Sequence, residues 1–199
     1  YNKLKKCRLM HKFGNKPYVD VRSSFNSLLP SNIRIGLKRK LIHYYLDKLK
    51  RFPHLHDKVE FEILFTCLDF SFDEKSNRLK KNGFNKDEIN ILKNHLYQLT
   101  NNIISGKIHP ITDLLKSFEK LEKRNKKILK DYSNSRDWTL TIKLLLDDCI
   151  TYGTVPFSIL ARYAFIANSL LRSLVLKNAL SQERLNAFLP RKDRFTDED

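Results

Sequence analysis

Glycine is scarce in this chain. It has five glycines in 199 residues, and none stands in the GxGxxG or GxxxxGK spacing that lets backbone N–H groups cradle a phosphate. A nucleotide loop of that kind is therefore excluded. Cysteine is equally sparse: Cys7, Cys67 and Cys149 lie far apart with no CxxC spacing, which argues against a disulfide framework or a zinc site and for a reducing, cytoplasmic setting. His54 and His56 are two apart and lack a third ligand at metal spacing, so no metal is expected. Neither GxSxG nor a Cys–His nucleophile pair occurs. No uncharged apolar run reaches the roughly 18 residues of a membrane span, because Arg162 and Arg172 interrupt the longest apolar segment; no span is expected. The basic N-terminus has no apolar stretch behind it, so no signal peptide is expected, and a start at Tyr1 reads as an excerpt of a longer polypeptide.

What the chain has in excess is positive charge, +16 from 38 Lys and Arg against 22 Asp and Glu. Such a balance invites a nucleic-acid reading. The lysines are spread along the whole chain, however, and the aromatics sit at core-like positions instead of interleaving with a basic stripe. No nucleic-acid motif appears, so the charge is read as a solvated surface and nucleic acid as an unexpected partner.

The hydrophobic pattern predicts one mainly helical domain over residues 1–190 with a small β element, followed by a polar tail at 191–199. Residues 8–13 and 18–22 flank Gly14-Asn15-Lys16-Pro17 and predict a hairpin. Ser31 is the expected cap of a helix over 32–51, with Leu37, Leu41, Tyr44, Tyr45 and Leu49 at helical spacing and its lysines facing water. Alternation through Lys58–Phe65 predicts a strand near 58–67 with Val59, Phe61, Ile63 and Phe65 inward. Helices are expected at 73–81, 86–104 and 110–131, the second opened by a capping box between Asn85 and Glu88. A helix over 136–151 is expected to bury Trp138, Ile142, Leu145 and Leu146, and Ser181 to cap a last helix ending at Pro190.

The segment Asp147–Asn178 is the most informative. It opens on a carboxylate pair, passes a turn at Tyr152-Gly153-Thr154, and enters a helix at Pro156 capped by Thr154. The helix is apolar almost all round, with Phe157, Tyr163 and Phe165 read as packing. Ser158, Arg162, Ser169 and Ser173 fall on one stripe, with Arg172 about 80° aside at helical geometry. A guanidinium among apolar side chains needs an anion, because an isolated buried charge is very costly. That anion is either Asp148 or part of a ligand.

Four segments carry a likeness to a known family: NKPYVDVRSSFNSLLP (15–30), FPHLHDKVEFEILFTCLDFSFDE (52–74), the GFNKDEI…LYQLTN run (83–101) and YGTVPFSILARYAFIANSLLRSLV (152–175). In order and in register, these resemble a middle region of proteins related to phosphoenolpyruvate synthase and pyruvate phosphate dikinase. The closest likeness is to the L-glutamine kinase-like group of capsular polysaccharide pathways. The resemblance implies a non-nucleotide segment, acceptor-binding or inter-domain, of an ATP-dependent kinase or phosphotransferase. Its partners would be the ATP-grasp domain and the mobile phosphohistidine domain of the same enzyme. ATP and Mg would belong to those domains, with no cofactor bound by this segment. The chain departs from the whole-enzyme pattern: it lacks the ATP-grasp glycine loop and the small-residue motif around the phosphocarrier histidine, and its tail PRKDRFTDED matches nothing in the group. Alone it is expected to be inactive, with no catalytic residue assigned.

If this region holds a small-molecule acceptor such as an amino acid, charge matching names the candidates. Arg22 or Arg162 suits a carboxylate, Asp20, Asp57 or Glu60 an ammonium, and Asn26 with Tyr152 or Thr154 an amide; His54 joins the set. The competing structural reading makes Arg162–Asp148 and Arg22–Glu60 internal ion pairs. A reading from another class makes the chain a basic helical binding module for RNA or an acidic protein.

Overall fold

The computed structural model describes residues 9–132 and 138–189. Eight α-helices and one two-stranded hairpin make up the regular structure of the described residues, a mainly α fold with a small β element as the pattern predicts. The chain divides into two compact units, Tyr1–Thr100 with Phe165–Asp199 and Asn101–Ala164, where the sequence pattern alone predicts one domain. The expected polar tail at 191–199, the Pro190 helix end and the start of the 136–151 helix lie outside the described residues.

The larger unit begins with β1 (Met10–Phe13) and β2 (Lys16–Val19), paired antiparallel with Met10 opposite Val19. The turn is the two residues Gly14 and Asn15, both at positive φ (52° and 63°), the geometry whose twist matches a hairpin. Val21 and Arg22, expected in the second strand, instead open α1 (Val21–Leu28). Asp20 ends the strand by capping that helix, its Oδ1 accepting from the N–H groups of Arg22 (3.0 Å) and Ser23 (3.3 Å).

Helix α2 (Ile35–Arg51) starts three residues later than expected and without a side-chain cap. Its Leu37, Leu41, Ile42 and Tyr45 are buried, and together with Phe25, Leu29, Ile63, Phe72, Leu79, Leu92 and Leu96 they form the core of this unit. α3 (Phe72–Lys81) and α4 (Lys86–Ile104) follow. The capping box forms as read, with Asn85 Oδ1 accepting from Glu88 N–H (2.8 Å) and Glu88 Oε2 accepting from Asn85 N–H (2.9 Å).

The strand expected near 58–67 does not form. Val59–Ile63 is a π-helical turn, closed by Glu62 N–H to Lys58 C=O (2.9 Å) and Leu64 N–H to Val59 C=O (2.9 Å). The reason is backbone accounting: among the described residues no further strand pairs with this segment, so its peptide groups satisfy each other locally. Ile63 and Leu64 still reach the core. Phe61 meets Phe165 edge-on at 5.5 Å, and Phe70 N–H donates to Ser173 Oγ at 3.3 Å, so the 165–176 stretch belongs to this unit. α8 (Gln182–Phe188) is capped by Ser181 as expected, with Oγ accepting from Arg184 N–H.

In the smaller unit α5 (Ile111–Asp131) and α6 (Trp138–Asp148) lead into a π-helical turn at Cys149–Thr154. α7 (Val155–Leu176) begins without interruption, so the expected turn and the Thr154 cap are absent. Pro156 explains the widened turn: proline has no N–H for the carbonyl four residues back and clashes with it, and a π bulge absorbs both effects. A Cβ on Gly153 would lie 3.1 Å from Leu121 Cδ2, so the missing side chain lets the turn press onto α5. α6 is rotated from expectation. Thr141 and Asp148 face inward, while Trp138, Ile142 and Leu146 are exposed, because Asp148 turns in to meet Arg124 Nε at 2.7 Å. Phe157, expected to pack, is 65% exposed, whereas Tyr163 donates its hydroxyl to Ile108 C=O at 2.6 Å. The run Trp138–Leu176 is long and apolar enough to cross a membrane by length and composition, a test that core helices also pass and that the expectation of no span did not anticipate.

Truncating Leu41, fully buried at the centre of α2, is expected to cost about 2–5 kcal/mol, while Phe157→Ala stays within about 0.5 kcal/mol, as for other surface changes. Urea unfolding of the two variants checks the contrast, and equal losses would contradict the packing described.

Candidate anion-binding cleft

The residues singled out by sequence occupy separate surroundings within each unit. In the larger unit Asp20 is a helix cap whose carboxyl is held below its ordinary range, chiefly by the Ser23 hydroxyl donating to Oδ2 at 2.6 Å. Arg22, His54 and Asp57 are exposed; Asn26 and Glu60 are half-buried. His54 lies in a short 3-10 turn with its ring edge-on to Phe52 at 6.2 Å, and the Arg22–Glu60 ion pair does not form among the described residues. In the smaller unit Tyr152 lies under Lys120 Nζ (4.5 Å) and the Arg124 guanidinium (5.3 Å). Thr154 is exposed at the end of the π turn. Arg162 is buried, 9% exposed, and is engaged within the chain; Asp148, its expected partner, pairs with Arg124.

A concavity of the larger unit is lined by other residues. On α2, Lys40, Tyr44, Lys48 and Arg51 follow at intervals of four, four and three, so they share the stripe beside the buried Leu37–Leu41–Tyr45 face. α3 adds Arg78, Lys81 and the Asn82 that follows it; Phe84 and Phe52 close the ends, giving a cavity of about 580 Å³. That volume falls among ordinary small-ligand sites, roughly 300–1,000 Å³. A second cavity of about 230 Å³ shares Tyr44, Lys48 and Arg78 with the first. It is bounded by the π turn at Phe61–Ile63, by Lys75, and by Ser169, Arg172 and Ser173 of α7.

The charge balance of these walls is one-sided. Seven cations line the two cavities, against the carboxylates Asp47 and Glu62. Lys40 is paired with Glu88 at 2.6 Å and Lys75 with Asp69 at 2.5 Å. Among the described residues Lys48, Arg51, Arg78, Lys81 and Arg172 have no carboxylate within ion-pairing distance. The Lys48 ammonium donates to the Glu62 carbonyl and is half-buried. Burial, then the neighbouring Arg78, and more weakly Lys75, push its pKa below the usual lysine value, while Glu62 opposes the shift. Aromatic faces accompany the charges: Tyr44 meets Phe84 edge-on at 5.8 Å, and Lys40 Nζ sits 4.6 Å over the Phe84 ring. Cations in excess beside flat apolar walls can hold an anion attached to an organic body.

Sequence reasoning passed over Tyr44, Lys48, Arg51 and Arg78. The signal was available as alternating aromatic and basic residues at four-residue spacing along α2, which had been assigned to core and solvent separately. No protein-family model, curated protein or solved structure matches the chain.

Glu88 fixes the rim of the cleft, and its carboxyl is held below the ordinary value of 4.5, first by the hydrogen bond from Lys40. A depressed carboxyl pKa adds stability that is present above the unfolded value and disappears as pH falls through the folded one. Glu88→Gln is therefore expected to lower Tm at pH 7 and to flatten the loss of stability below about pH 4.5. Thermal unfolding across pH 3–7 checks both; an unchanged acid limb would contradict the pairing.

Proposed function

We propose that this chain is the non-nucleotide, acceptor-binding segment of an ATP-dependent phosphotransferase of the phosphoenolpyruvate synthase-like kind, and that its larger unit receives an anionic small molecule. The observation carrying this reading is the surplus of cations without carboxylate partners around the Tyr44–Lys48–Arg78 cleft. Phosphoryl transfer depends mainly on positioning and on neutralising charge, and a preformed cationic pocket beside flat aromatic walls supplies both for an acceptor. ATP, Mg and the phosphocarrier histidine would come from other domains of the enzyme, so this segment binds without catalysing. The acceptor's identity follows from the family likeness only as a class, and an amino acid such as glutamine remains one of the compounds to test.

A second reading, a basic module for RNA or an acidic protein, draws on α5, where Lys116, Lys120, Lys123, Lys126 and Lys127 are all exposed. Interleaved acids offset part of that charge: Lys126 pairs with Glu122, Lys116 with Asp113 and Arg124 with Asp148, while Lys120, Lys123 and Lys127 have no carboxylate within ion-pairing distance among the described residues.

Calorimetry with inorganic phosphate, a phosphorylated sugar, glutamine and a short single-stranded RNA separates the two. The first reading expects a small anion to bind and Arg78→Gln to weaken it about tenfold, the loss of one charge-assisted hydrogen bond. It is overturned if no small molecule binds while the RNA does and Lys123→Glu/Lys127→Glu removes that binding.

A further inference from the structure

We propose that the two adjoining cavities of the larger unit form one bipartite site for a phosphate monoester carried on a ring, with the phosphate in the smaller cavity and the ring in the larger. The inference rests on the small-molecule reading above and deepens it. The first argument is size. About 230 Å³ is small for a whole organic ligand but ample for a single oxyanion group, whereas about 580 Å³ accommodates a sugar or a nucleoside. Tyr44, Lys48 and Arg78 belong to both walls, so the two cavities adjoin, and one molecule seated in both passes beside these three side chains.

The second argument is charge. With Lys75 neutralised by Asp69, the smaller cavity keeps Lys48, Arg78 and Arg172 against Glu62, an excess of two positive charges. A phosphate monoester carries about −1.5 to −2 at neutral pH, so it matches that excess where a carboxylate would leave it half satisfied. The donors are also held in place. Arg172 spends its Nε on Asn168 Oδ1 at 3.0 Å and lies over the Phe61 ring at 5.3 Å, which leaves its two terminal nitrogens for an oxyanion. Lys48 is tethered to the Glu62 carbonyl.

The third argument is the character of the larger cavity. Phe52, exposed, and Tyr44, half-buried, offer apolar ring surface, with the buried Phe84 behind them under Lys40, and Asp47 and Asn82 offer hydrogen-bonding groups for ring substituents. Stacking on an aromatic side chain contributes about 1–3 kcal/mol for a nucleobase. A sugar phosphate and a nucleoside monophosphate share this chemistry.

The test uses the full chain and isothermal calorimetry with inorganic phosphate, glucose 6-phosphate, AMP, glucose, adenosine and glutamine. Both ring esters, or one of them, are expected to bind about tenfold tighter than inorganic phosphate, and the two uncharged bodies weaker than either. The preferred ester tells sugar from base. Arg172→Gln is expected to weaken inorganic phosphate and ester alike by about tenfold, whereas Phe52→Ala weakens only the ester, by about five- to tenfold. Arg172 and Phe52 are both exposed, so the folded state is retained in each variant and is checked by its unchanged Tm. Binding that ignores Arg172→Gln, or a Phe52→Ala loss equal for phosphate and ester, overturns the bipartite seating and leaves the small-molecule reading standing. Failure of every phosphate compound, with glutamine still bound, overturns this inference alone. Failure of every small molecule removes both.

Discussion

Helix α2 is asked to do two things with one 3.6-residue repeat, and the larger unit is built on that constraint. One stripe, Leu37, Leu41 and Tyr45, is driven out of water and fixes the core; the next, Lys40, Tyr44, Lys48 and Arg51, is thereby fixed as the wall of a cleft. The join between them is aromatic. Tyr45 is wholly buried and accepts the Phe65 N–H at 3.4 Å, and its ring lies 5.7 Å from that of Tyr44. The cleft therefore rests on the buried core of the larger unit, and a site on a helix held in this way is positioned more accurately than one on a loop.

The same arrangement gathers like charges. Lys48 stands partly desolvated near Arg78, a placement that opposes its own ionisation. Its hydrogen bond to the Glu62 carbonyl and the nearby Glu62 charge offset part of that repulsion. An anion supplied from solution reverses the sign of that contribution, and ligand binding then stabilises the fold by mass action. Since Arg51, Arg78, Lys81 and Arg172 are exposed, the attraction is screened by salt, and its strength falls as ionic strength rises.

Local signals carried the sequence reading furthest. The Asn85–Glu88 box and the Ser181 cap are each written in a few adjacent residues and formed where they were read; the hairpin formed with a turn of Gly14 and Asn15, shorter than the Gly14–Pro17 stretch read for it, and the caps expected of Ser31 and Thr154 did not form. Signals that depend on a distant partner failed. The alternation at Val59–Ile63 described a strand with nothing to pair with, and the apolar face of α6 was misjudged because an ion pair from Arg124 decides which way Asp148 turns. The cleft was missed for a related reason. Its α2 wall is periodic and legible, but Arg78 and Arg172 join it only through folding, from α3 and α7; Arg172 is marked in the sequence only as a charge in an apolar helix, and nothing near Arg78 marks it.

Trp138 is the single tryptophan of the chain, belongs to the smaller unit and is 62% exposed. Indole emission is thus a private reporter of residues 101–164, already red-shifted by water in the native state, while the larger unit speaks only through its tyrosines. Selective excitation of the indole follows the smaller unit alone, whereas tyrosine excitation follows both, since Tyr132, Tyr152 and Tyr163 also lie in residues 101–164.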